Sequence, residues 1–144
     1  MQASTKYTKA IHICIYLNVH KEELVSSARL ADSLQTNPVV VRRLVKSLRE
    51  GNIIESVAGT QGGFRLGKDA RDISLWDIYL IMRDEDFFQR PKVNPECKVS
   101  SNLKALVHDT FTAAELAMKS SLATKSIESL TYQLNEILES PTVG

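Results

Sequence analysis

Cysteine is scarce in this chain: there are two in 144 residues, Cys14 and Cys97. Two cysteines build no disulfide framework, and neither belongs to a close pair suited to zinc. The three histidines, His12, His20 and His108, are scattered without metal-ligand spacing, so no metal site is expected. Long apolar runs are missing; none approaches the ~18 residues of a membrane span. Met1 to Lys9 holds no apolar signal core. Repeats and low-complexity tracts are also absent. These absences exclude a disulfide-stapled secreted module and a helical membrane protein. They predict a cytoplasmic chain with reduced thiols. Aromatics are few, at 6%, but 43% of residues are hydrophobic, enough for one modest core.

The net charge of +1 names no partner, but its distribution does. Residues 1–68 carry ten Lys or Arg against five acids, a balance of +5. The remaining residues carry eight bases against twelve acids, a balance of −4. A basic half suits a polyanion, and the acidic half would face elsewhere.

Apolar spacing predicts a helix over 7–19, with Tyr7, Ala10, Ile11, Cys14, Ile15 and Leu17 as its stripe. Ser26 or Ser27 caps a short second helix ending at Leu34. After a turn at Gln35-Thr36, Asn37 is a natural N-cap and Pro38 fits the first helical position. The third helix runs to Glu50, burying Val41, Leu44, Val45 and Leu48, with Gly51 expected as a left-handed C-cap. Residues 52–57 and 64–66 read as two strands around a Gly-rich tip. Ser74 with Asp77 opens a fourth helix to about Arg83. Residues 87–102 read as loop. A long helix is expected from Leu103 to about Ser120, with Leu103, Leu106, Val107, Thr110, Phe111, Ala114, Ala117 and Met118 along one face. A last helix covers 124–138.

Helix, short helix, turn, helix and hairpin is the order of a winged helix-turn-helix. The fold class expected is therefore mainly α with a small β-hairpin wing, plus a long C-terminal helix. The third helix must bury one stripe and offer the other to the major groove. Val39, Val40, Arg42, Arg43, Lys46 and Arg49 are left for that outer surface. Arg can grip a guanine edge, and Lys or Arg can neutralise phosphates. A solvated basic helix would show the same face, but the helix before it and the wing after it favour DNA. Ser26, Ser27, Asn37 and Pro38 stand at the two helix entrances, where free amides suit phosphate. Thr60, Gln61, Gly62, Gly63 and Arg65 of the wing complete the candidate contacts. The GxxGG tip is not a nucleotide-binding loop, because no Lys-Ser/Thr and no helix follow it.

The run from Ser56 to Ala70 (SVAGTQGGFRLGKDA), followed by Ile73-Ser74-Leu75-Trp76-Asp77-Ile78, resembles the Rrf-two family of bacterial transcription regulators, the family of IscR, NsrR and CymR. The resemblance extends from Tyr7 to about Leu134. It implies a homodimeric repressor on an inverted repeat of double-stranded DNA, with the helix from Leu103 as dimerisation helix and the wing in the minor groove. It divides the chain into a DNA-binding domain, 1–83, an effector loop, 84–102, and a dimerisation and C-terminal part, 103–144. Two departures stand out. Many members carry an arginine just before the first wing glycine, where this chain has Ala58. Cluster-binding members place three cysteines in the loop where this chain has Cys97 alone. Pro91, Lys92, Asn102 and Leu103 nearby are poor soft ligands. No iron–sulfur cofactor is therefore expected.

The effector stays open among three routes. Cys97, flanked by Lys92 and Lys98, is either a thiol sensor or an ordinary loop cysteine. Cys14, on the first helix's apolar stripe, reads as core. A Cys14–Cys97 bond between subunits needs Cα atoms ~5.5 Å apart. Trp76, Tyr79, Met82, Phe87 and Phe88 either line a small-ligand pocket or form core. A protein partner on the acidic half is the third route. Cys97 with His108 is the sole nucleophile–base candidate and lacks an orienting group, so no enzyme is expected. A winged interaction adaptor without DNA binding is the alternative class, and the bases of the third helix argue against it.

Overall fold

The computed structural model describes residues 5–83, 88 and 92–140. Helices α1 (Lys6–Val19), α2 (Ser27–Leu34) and α3 (Pro38–Glu50) lead into strands β1 (Ile54–Val57) and β2 (Gly63–Leu66). A short turn of 3-10 helix at Ala70–Asp72 precedes α4 (Leu75–Met82). The long α5 (Lys98–Leu122) and α6 (Ile127–Glu139) follow. The strands pair antiparallel, Ile54 opposite Leu66 and Val57 opposite Gly63. This is a mainly helical winged helix-turn-helix.

One core joins these elements. Ala10, Ile13, Cys14 and Leu17 of α1 meet Leu30 of α2, the α3 stripe, Ile53, Ile54, Ile73, Ile78 and Ile127. The α3 stripe is the expected one: Val41, Leu44, Val45 and Leu48 are all buried. The α1 stripe is rotated from the expected one. Ile13 and Leu17 go fully inward, while Ile11 and Ile15 are half-buried. The helix therefore buries the face between α3 and α6 rather than the face with the most apolar letters.

Three boundaries differ from expectation. Gly51 is not left-handed, at φ −85°; Asn52 takes that conformation at φ 63°. Gly51 instead lets α4 come close: a Cβ there would lie 2.4 Å from the Ile81 side chain, which would have to turn aside. The long helix starts at Lys98, five residues before Leu103. Its first turn holds a single apolar residue, Val99, too little for apolar periodicity to show. A turn at Asn94–Glu96 and the Cys97 cap set the start instead. The last helix begins at Ile127, because Ser126 and Ser129 form a reciprocal cap there.

The last helix, grouped by sequence with the long one, packs on α1. Asn18 of α1 is buried and donates to Thr131 Oγ1 at 2.9 Å. Ile127 N–H bonds Ile73 O at 2.8 Å, and Leu75 N–H bonds Lys125 O at 2.9 Å. These contacts flank Ser126 and stitch the α6 end of the α5–α6 turn to the body. Helix α5 itself buries no residue.

Candidate nucleic-acid interface

The turn before α3 is built by capping. Gln35 is left-handed at φ 52°, and its N–H bonds the end of α2. Asn37 then accepts the Val40 N–H at 3.1 Å, with Pro38 next in the helix. At the start of α2, Ser26 accepts the Arg29 N–H at 3.2 Å. Ser26 and Asn37 thus spend one acceptor each on helix amides, and both remain exposed. Ser27 is half-buried.

The outer surface of α3 is as expected for its bases. Arg42, Arg43 and Lys46 are exposed, and none has an ion-pair partner among the described residues. Val39 is 48% exposed. Val40, expected outside, is half-buried and packs on the core. Arg49 donates to Ser56 Oγ of β1 at 2.9 Å, so it ties helix to wing. That bond was not legible in the sequence, because it depends on the hairpin's angle.

The wing has a backing the sequence did not reveal. Val25, in the link before α2, exchanges both backbone hydrogen bonds with Phe64 of β2. Gly63 is needed for that approach, since a Cβ would lie 2.8 Å from Val25 O. Thr60 and Gln61 stand exposed at the tip, and Gly62 and Gly63 are half-buried. Arg65 is paired with Glu55 directly across the hairpin. Arg65 therefore starts from an ion pair that a phosphate would have to displace. Three further bases, Lys21, Lys68 and Arg71, line a cleft of about 490 Å³ at the wing's base with Asn18, Asp69 and Glu128. Arg71 grips Asp69 and holds its carboxyl down to about 2. The sequence signal for this group was the crowding of Lys68 and Arg71 just after β2.

The Rrf2 family, described as iron-dependent transcriptional regulator, matches residues 3–133. The chain belongs to the Rrf2 family. YwnA of Bacillus subtilis (strain 168), described as an HTH-type transcriptional regulator, is 35% identical over 133 residues, 91% of this chain and 98% of that one. IscR of T. potens superposes with a TM-score of 0.74 at 19% identity, over 98% of this chain and 93% of that chain. CymR of B. subtilis, described as the global cysteine regulator, gives 0.64 at 23%, over 92% and 98%. These two likenesses are of fold. The family and the curated relative are transcriptional regulators rather than enzymes, and the function this Rrf2 chain shares with them is DNA-binding transcriptional regulation.

The family description raises iron, so the cysteine and histidine donors of this Rrf2 protein bear on a metal centre. Cys97 is the single cysteine of the region, and its Sγ accepts the Ser100 N–H at 3.4 Å as the cap of α5. Among the described residues no three His, Cys, Asp or Glu side chains converge. Pro91, one of the flanking positions, lies outside the described residues. Cys14 is fully buried, and burial pushes its thiol up to about 12. Both cysteines are free thiols. No described helix is long and apolar enough to cross a membrane.

The residues read as either pocket or core are divided between the two. Met82 is in the core. Trp76 stacks on Tyr79 with centroids 5.3 Å apart, beside a cavity of about 220 Å³ against α5. Phe88 stacks on Phe111 at 4.2 Å, walling a separate cavity of about 580 Å³. Phe87 lies outside the described residues. The proposed α5 face is split too. Leu103, Val107, Phe111 and Met118 are half-buried towards their own subunit. Leu106, Thr110, Ala114 and Ala117 are exposed.

Proposed function

We propose that this Rrf2 protein is a dimeric cytoplasmic repressor that reads an inverted-repeat operator. One observation carries the placement: Arg42, Arg43 and Lys46 project unpaired from the side of α3 opposite its buried stripe. Two donors on one exposed arginine match a guanine edge, and the lysine suits a phosphate. Asn37 and Pro38 bring the helix end, with the Val39 amide left over from the cap, close to the backbone. Thr60 and Gln61 at the wing tip reach for the adjacent groove. Ala58 leaves the position before the first wing glycine without an arginine.

Dimerisation is assigned to the open side of α5. Val99, Leu106, Thr110, Ala113 and Ala117 fall within about 40° of one line at 100° per residue. All five are exposed, and the small ones at 110, 113 and 117 permit close helix crossing. The reading dispenses with an iron–sulfur cluster, on the donor set described above. Thiol control is a second element of it. Cys97 is partly exposed at the amino end of α5, where a soluble oxidant can reach it.

The test is a footprint on a site recovered by unbiased DNA selection, with the mass of the complex. The proposal predicts two half-sites about ten base pairs, or a multiple, apart, covered by two chains. A single half-site covered by one chain overturns the dimeric operator reading.

A further inference from the structure

The larger cavity under α5 has the makings of a ligand site. Leu103, Val107 and Phe111 line it, together with Phe88, whose ring stacks on Phe111. Its volume of about 580 Å³ falls in the range of small-molecule pockets, roughly 300–1,000 Å³. Lys104 and His108 also line it, one helical turn apart on the same face, so both reach one ligand group. Neither has an ion-pair partner among the described residues.

We propose that this cavity binds a small organic acid with a flat apolar body. The body lies against Leu103, Val107 and Phe111, and the carboxylate or sulfonate sits at Lys104 and His108. Glu115 is the carboxylate of the lining, and it stands eleven residues from Lys104, roughly 16 Å along the helix. There it also borders the smaller cavity, whose lining includes Arg83 and Lys119. Among the described residues no ion pair engages Lys104, and Glu115 stands at the far end of the lining. An acid is thus preferred over an amine of the same shape. The site lies where the long helix meets the body, and Thr112 and Glu115 line both cavities. A bound acid would therefore bear on how α5 sits against α4.

The test is a fluorescence titration of the full chain with 8-anilinonaphthalene-1-sulfonate. The expected result is saturable binding of one dye per chain. 1-Naphthylacetate should displace it, and 1-naphthylmethylamine should do so at least tenfold more weakly. Lys104→Glu should weaken the acid at least fivefold with an unchanged circular-dichroism spectrum. Val107→Trp, which fills the cavity, should abolish saturation. Four results overturn the proposal: no saturable signal, equal displacement by acid and amine, no effect of Lys104→Glu, or a signal that falls as the chain self-associates, which would place a second copy in the cavity. The titration contains no DNA, so its failure leaves the operator reading standing, and a failure of DNA binding leaves this result standing.

Discussion

Val25 and Phe64 exchange both backbone hydrogen bonds, at 3.0 Å and 2.8 Å, across the gap between α2's entrance and the wing. This bridge adds a third, one-residue rung to a two-stranded hairpin. A lone hairpin is marginal in water, and the extra rung anchors it. The rung depends on Gly63, where a Cβ would fall 2.8 Å from Val25 O. The obstacle is backbone, so it cannot swing aside. Gly63→Ala should cost about 1–3 kcal/mol in urea unfolding. An unchanged midpoint would show that the wing detaches freely.

Asn18 is the polar group inside the α1–α6 seam. It donates to Thr131 Oγ1 at 2.9 Å and to Glu128 at 3.4 Å. Asn18→Ala removes the donor and opens a gap between buried neighbours. The expected loss is about 1–3 kcal/mol in thermal unfolding, with the fold retained. A neutral result would mean that α6 contributes nothing to the body's stability.

The two thiols should react at different rates. Cys97 is partly exposed and Cys14 is sealed in the core. Iodoacetamide on the native chain should label Cys97 first, and Cys14 only as fast as the chain unfolds. Peptide mass spectrometry reads this directly. Equal labelling in native buffer would contradict the packing of α1.

Stability should fall on both sides of neutrality, for different groups. Burial raises Cys14 to about 12, and burial with Tyr79 raises Tyr7 to about 12. Each is deprotonated sooner in the unfolded chain, so its contribution is full below its unfolded value and is lost as pH rises towards 12. Burial lowers His12, whose ring nitrogen lies 2.7 Å from Ser33 Oγ. The unfolded chain then binds its proton first. That contribution is present above about pH 6.5 and is lost as pH falls through the folded value. Urea midpoints across pH should show both limbs. Cys14→Ala should flatten the alkaline limb, and His12→Asn the acid one. Limbs unaltered by either change would assign them elsewhere.

Much of this fold was legible because its signals are local. Asn37, Pro38 and the 41–44–45–48 stripe fix α3, and Ser74 with Asp77 fixes the start of α4. The start of α5 was not legible, because Lys98 to Asn102 hold one apolar residue, Val99, and their helix depends on the Cys97 cap. Ile13 escaped because which face of α1 is buried depends on where α6 returns. The candidate site divides the same way. The exposed bases of α3 follow from its buried stripe alone. The pairings of Arg65 with Glu55 and of Arg49 with Ser56 are cross-element contacts that need the hairpin's placement.

The claim that α3 reads DNA is tested most directly by anisotropy titration of a selected operator. Wild type and Arg42→Ala/Arg43→Ala should be compared between 50 and 200 mM salt. Both residues are exposed, so the double variant should fold normally. The account predicts a steep fall of wild-type affinity with salt. It predicts at least about 30-fold weaker binding for the variant, with poorer discrimination against mutated sites, since each base-reading arginine contributes about 1–3 kcal/mol. An unchanged affinity and an unchanged salt slope would contradict it.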